Sequence, residues 1–210
     1  MTVIKCKESD IAFQYKTLIE DCLDEHLKLI SKLVHDSYYT NIIIKISNMI
    51  IQSYLKGKKL LLCGNGGSAA DAQHIAAELV SRFYMERRAL SAEALTVNTS
   101  IITAIANDYS YKNIFNRQIE AKGEKEDILI GLSTSGKSEN IYEAFKLAKE
   151  YDISTVLFTG NIKENEKILQ YTDCLLNIPS QNTPRIQEMH ILAAHIICQI
   201  IEKELSQYEF

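Results

Sequence analysis

The sequence predicts an α/β protein: a doubly wound, five-stranded parallel sheet flanked by helices, with an N-terminal helical segment in front of it. Three observations carry that fold class. From Leu60 onward, apolar runs of strand length alternate with helical patterns, the order that builds parallel sheets. Two of those runs, Leu60-Leu61-Leu62-Cys63 and Asp127-Ile128-Leu129-Ile130-Gly131-Leu132, break into a glycine- or hydroxyl-rich turn and then into a helix. A chain of 210 residues with 46% hydrophobic residues can bury one sizeable core but is short for two.

Residues Met1 to Asp10 are expected to be loose. From Ile11 to Val34, Ile11, Tyr15, Leu18, Cys22, Leu29 and Leu33 recur at helical steps, and Ile42, Ile46, Met49 and Ile50 repeat the pattern in the next segment. Ile19, Leu23, Leu27, Ile30 and Val34 give the first helix a second apolar side, which predicts packing against another subunit. Residues 1–57 thus read as a helical oligomerisation segment and 58–210 as the sheet domain, in one structural unit. After the Leu60 strand and its helix, Ala94 to Val97 reads as a short strand, Thr99 to Ala106 as a helix and Tyr111 to Ala121 as another. The strand from Asp127 to Leu132 leads into a helix from Glu139 to Glu150. Strands at Ser154–Thr159 and Cys174–Ile178 flank a polar helix near Glu164 to Gln170, and a long helix from Pro184 to Leu205 closes the chain.

Composition excludes several classes of function. A net charge of -4 and a pI near 5.8 provide no basic stripe for nucleic acid, and no run is long enough to span a bilayer. Without a recognisable signal sequence, the expected location is cytoplasmic. The five cysteines, Cys6, Cys22, Cys63, Cys174 and Cys198, are widely spaced and fit neither a disulfide framework nor a cysteine zinc site.

The chemistry concentrates in two turns and two helices. In Gly64-Asn65-Gly66-Gly67-Ser68 the glycines permit positive φ and close backbone approach, and Ser68 is a candidate helix cap, leaving amides to face an anion. His74 and Glu78, four apart on the next helix, share a face, as metal ligands or proton-transfer groups would; a solvated i,i+4 pair has the same spacing. The turn Ser133-Thr134-Ser135-Gly136-Lys137-Ser138 offers amides, hydroxyls and a helix N-terminus to a phosphate monoester. Gly131 to Ser138 also satisfies the P-loop pattern G-x-x-x-x-G-K-S/T. A P-loop enzyme needs an acidic residue at a strand end to hold magnesium, whereas the Ser154 and Cys174 strands run into Gly160-Asn161 and Pro179-Ser180. Lys137 is therefore read as incidental or as a phosphate-facing cation. On the last helix, Arg185, Gln187, Glu188, His190 and His195 interrupt an apolar pattern, and His190 reads as a satisfied interface histidine. Gln187 and His195 are two turns apart, about 12 Å along the axis, so both reach one metal only if the helix start is loosened or the site draws on two subunits.

GNGGSAADAQHIAAEL, the Ala106-Asn107-Asp108 triplet, GLSTSGKS and RIQEMHILAAH together resemble the sugar isomerase (SIS) family, most closely its phosphoheptose isomerases. The resemblance runs from Leu60 almost to the end, with a helical N-terminal segment of the expected kind and the SIS domain at 58–210. It implies conversion of sedoheptulose 7-phosphate to D-glycero-D-manno-heptose 7-phosphate through an enediol, the first step of nucleotide-activated heptose biosynthesis. By resemblance, Asn65, Gly66, Gly67, Glu78, Asn107, Asp108, Ser133, Thr134, Ser135, Ser138 and Gln187 contact substrate. Glu78 and His195 are the implied acid–base pair, and His74, Glu78, Gln187 and His195 the implied zinc ligands, in a homotetramer with active sites at subunit interfaces. Ala69-Ala70, Lys137 and Pro184 depart from common family residues and leave the sugar preference open. The alternative is a noncatalytic SIS module that binds a sugar phosphate or a protein.

Overall fold

The computed structural model describes residues 8–207. Residues 1–7, including Cys6 and most of the segment expected to be loose, lie outside them. Helices α1 (Glu8–His35) and α2 (Ser37–Leu55) come first, separated by Asp36, whose carboxylate caps α2 by accepting from the Tyr38 amide. Among the described residues helix α1 already covers Glu8 to Asp10, ahead of the Ile11 start the periodicity predicts. There follow β1 (Leu60–Gly64), α3 (Gly67–Val80), β2 (Ala92–Ala94), α4 (Thr99–Asp108), α5 (Asn116–Lys122) and β3 (Ile128–Ser133). The chain closes with α6 (Glu139–Glu150), β4 (Ser154–Thr159), β5 (Cys174–Asn177) and α7 (Thr183–Leu205).

All five strands are parallel, in the order β2-β1-β3-β4-β5. Alternate residues feed two cores. Leu60, Leu62, Ile128, Ile130, Val156 and Phe158 face α2, α3 and α7, while Leu61, Cys63, Leu129 and Leu157 face α5 and α6. The direction of winding reverses between β1 and β3, so their carboxyl ends open a crevice with helices departing to opposite faces. Cys22, Cys63, Cys174 and Cys198 are free thiols, as expected.

Three elements differ from the sequence reading. The edge strand is Ala92–Ala94 instead of Ala94–Val97. The Leu95 amide still donates to the Leu62 carbonyl, but Thr96 is drawn off the sheet by Gln73, whose amide donates to its hydroxyl, and Val97 is exposed. The helix predicted near Tyr111 to Ala121 splits into a 3-10 turn, Tyr111–Asn113, and α5, which lets the neighbours Ile114 and Phe115 both enter the core. The polar helix predicted near Glu164 to Gln170 is only a 3-10 turn at Lys167–Tyr171. Ile168 is its one buried residue, too little packing to propagate a helix.

Candidate functional site

The two turns singled out in the sequence meet at the β1/β3 crevice. In the first, Gly66 has φ +56°, a conformation that favours glycine, and a Cβ on Gly67 would sit 2.6 Å from the end of the Gln187 side chain, which would have to move aside. Ser68 does not cap α3. The N-cap is Gly66, and Ser68 is buried in the first turn with its hydroxyl 3.4 Å from Gln187 Nε2. Among the described residues, the Gly66 and Gly67 amides donate to no protein acceptor, which leaves them to a ligand.

In the second turn, Ser133 Oγ and Ser138 Oγ are 3.0 Å apart, and the Lys137 amide donates to Ser135 Oγ. Ser138 is the N-cap of α6 but makes no side-chain capping bond, and the Ser138, Glu139 and Asn140 amides have no protein acceptor among the described residues. Hydroxyls and open amides at a helix N-terminus form an anion site. The P-loop match dissolves here: Gly131 is a strand residue paired with Cys63 and Leu157, and a Cβ on it would strike the Phe145 ring. The Lys137 ammonium lies 3.6 Å from Glu166 and is exposed.

A clasp not foreseen in the sequence joins the turns. Asn65 Nδ2 donates to Asn140 Oδ1 at 3.0 Å, Asn140 Nδ2 donates back at 2.8 Å, and the Tyr111 hydroxyl donates to Asn65 Oδ1. Asn140 is buried, so this pairing satisfies an amide that would otherwise be unmet. Asn107 and Asp108 end α4 and bond to each other, exposed, on the chain leading to Tyr111.

Further along α3, His74 Nε2 lies 3.2 Å from Glu78 Oε1 and 2.9 Å from His195 Nε2 on α7. Donor atoms of His74, Glu78 and His195 all fall within 4.8 Å of one another. Two imidazole nitrogens and a carboxylate that converge in this way suit zinc with a position left for substrate. Gln187 stands apart. Helix α7 runs without interruption from Thr183 to Leu205, which removes the loosened-start alternative, and the Gln187 amide lies against Gly67 and Ser68 at the first turn. Within one protomer it lines the cradle about two turns from His195.

Several supporting groups escaped the sequence reading. The Phe83 ring lies 5.6 Å from the His195 ring. Burial pushes the Asp71 carboxyl up against the opposing pull of His74, and its Oδ2 is buried without a partner. Arg87 and Glu202 form a buried ion pair beside Glu78. His190 is not a satisfied interface residue: it is fully buried in the chain's own core against Phe158, and neither ring nitrogen completes a hydrogen bond. Burial pushes its imidazole down to about 4, with the Thr159 backbone opposing.

A family profile described as the SIS domain matches residues 24–160. The phosphoheptose isomerase of Clostridium acetobutylicum is 55% identical over 190 residues, spanning 90% of this chain and 96% of that protein. That of Burkholderia pseudomallei is 46% identical, spanning 90% and 95%. Among solved structures, the phosphoheptose isomerase of Neisseria gonorrhoeae superposes with a TM-score of 0.82 at 38% identity, covering 90% of this chain and 99% of that one. The Francisella tularensis enzyme gives 0.85 at 32% identity, covering 90% and 98%.

Proposed function

The chain belongs to the SIS-domain family and, within it, to the phosphoheptose isomerases, and from that membership we propose that it interconverts sedoheptulose 7-phosphate and D-glycero-D-manno-heptose 7-phosphate, opening the route to nucleotide-activated heptose. It is a sugar-phosphate isomerase. The observation that carries the mechanism is the convergence of His74, Glu78 and His195 beside two anion-ready turns.

The phosphate sits in the Ser133–Ser138 turn, where Ser133, Thr134, Ser135 and Ser138 and the open amides of α6 donate to its oxygens. Asn65, Gly66, Gly67 and Gln187 line the path of the open-chain sugar toward α3, with Asn107 and Asp108 as further contacts. Glu78 removes a proton from C1, the carbon beside the C2 carbonyl, and the electron pair forms the C1–C2 enediol while the carbonyl oxygen takes up a proton. Protonation at C2 and loss of the proton from the C1 hydroxyl then give the aldose. His195, linked to Glu78 through His74, is the second proton-transfer group. A zinc ion, for which His74, Glu78 and His195 are the donors, would supply Lewis-acid polarisation of the sugar oxygens. With α7 unbroken, Gln187 would join such a set only from another subunit.

A homotetramer with sites at subunit contacts is supported by α1, on which Leu18, Leu23, Leu27 and Val34 are each more than half exposed. No helix among the described residues is long and apolar enough to cross a membrane, and we place the enzyme in the cytoplasm. A noncatalytic module is disfavoured because the acid–base pair is intact and the relatives are named as isomerases. The test is incubation with sedoheptulose 7-phosphate, with and without a chelator. Aldose formation that the chelator suppresses supports the reading, and no aldose under either condition removes it.

A further inference from the structure

We propose that Arg87 and Glu202 are positioning residues for the isomerisation, acting through Glu78 and His195; the inference rests on the isomerase reading above. The Arg87 guanidinium donates to the carbonyl of Glu78 itself at 2.9 Å and to that of Leu79 at 2.8 Å, both in the last turn of α3, and to that of Arg88 at 2.9 Å in the loop beyond. Its Nε lies 3.3 Å from Glu202 Oε1, and the two side chains are 5% and 2% exposed. Glu202 is seven residues beyond His195 on α7, two turns along the same face. Its carboxylate also accepts from three consecutive amides, Phe83 at 2.9 Å, Tyr84 at 2.7 Å and Met85 at 3.0 Å.

One buried pair therefore ties the last turn of the helix that carries the base to the helix that carries its partner. It also fixes the intervening loop so that the Phe83 ring rests against the His195 ring. Nothing in this set touches the two turns that hold the sugar phosphate, so the clamp governs the reactive geometry and leaves substrate affinity to other residues. Lysine cannot replace the arginine, because a single ammonium does not fork onto the Glu78 and Leu79 carbonyls while it faces a carboxylate.

The test compares wild type, Arg87→Lys and Phe83→Ala in steady-state isomerisation of sedoheptulose 7-phosphate, with active-site fraction and Tm measured on each. The expected result is a kcat per folded enzyme at least about tenfold lower in Arg87→Lys and about threefold to tenfold lower in Phe83→Ala, with KM within about twofold of wild type in both. A merely structural role would lower Tm and leave kcat per folded enzyme unchanged, and that result in either variant overturns the proposal. If Arg87→Lys does not fold, Phe83→Ala decides alone. An inactive wild type would overturn the isomerase reading and this inference with it, whereas an active wild type with unaltered variants would overturn this inference only.

Discussion

Nε2 of His74 and Nε2 of His195 face each other at 2.9 Å, although 121 positions separate them in the chain. At most one of two nitrogens so placed can carry a hydrogen between them. The Glu78 carboxylate approaches the same His74 nitrogen at 3.2 Å, so three basic groups share one proton or one cation. The packing of α3 on α7 makes that arrangement, and in the proposed reaction the crevice between β1 and β3 would lead a phosphorylated sugar toward it.

Metal removal should follow from this geometry. Dialysis against a chelator is expected to lower isomerase activity by at least about tenfold, and added zinc to restore it. His74→Ala is expected to bind less than one zinc per chain at equal zinc activity, read by elemental analysis. Full activity in metal-free protein would remove zinc from the mechanism.

Glu78→Gln keeps the shape of the side chain and removes the proposed base. The expected loss is about 10²- to 10⁴-fold in kcat, with Tm nearly unchanged because the residue is partly exposed. Steady-state kinetics with a thermal melt separate this from misfolding.

The Asn65–Asn140 clasp gives a stability and an affinity readout together. Asn140→Ala leaves the Asn65 amide with the Tyr111 hydroxyl alone, and the expected destabilisation is about 1–3 kcal/mol by urea unfolding. KM should rise as well, because Asn65 and the α6 N-terminus lose their fixed separation.

His190 predicts how stability depends on pH. Its folded pKa is depressed to about 4, so below the unfolded value of about 6.5 the unfolded chain binds the proton first, and stability falls as the pH drops from about 6.5 toward 4. The slope from this one group is at most about 1.4 kcal/mol per pH unit. Urea unfolding of wild type and His190→Phe across that range should show a shallower dependence in the variant; parallel curves would contradict the buried neutral histidine.

Much of this was legible in the chain because it is local. Strands β1, β3 and β4 are apolar runs bounded by turn residues, and Glu139–Glu150 is a self-contained helical pattern. The His74–Glu78 pair follows from helical spacing, and the two turns from their glycines and hydroxyls. What was missed is held by distant partners. Asn140 meets Asn65 across 75 positions, and Glu202 meets the Phe83 amide across 119, so neither leaves a local pattern. The edge strand was misplaced because Thr96 bonds to α3 rather than to the sheet. His190 looked like an interface residue because an apolar helix shows no sign of which side faces its own sheet.

The most direct measurement is conversion of sedoheptulose 7-phosphate in D₂O, followed by NMR of the product. The wild-type chain is expected to form the aldose heptose 7-phosphate with solvent deuterium at C2, and Glu78→Gln to form almost none. An undiminished rate in Glu78→Gln would contradict an enediol formed by Glu78.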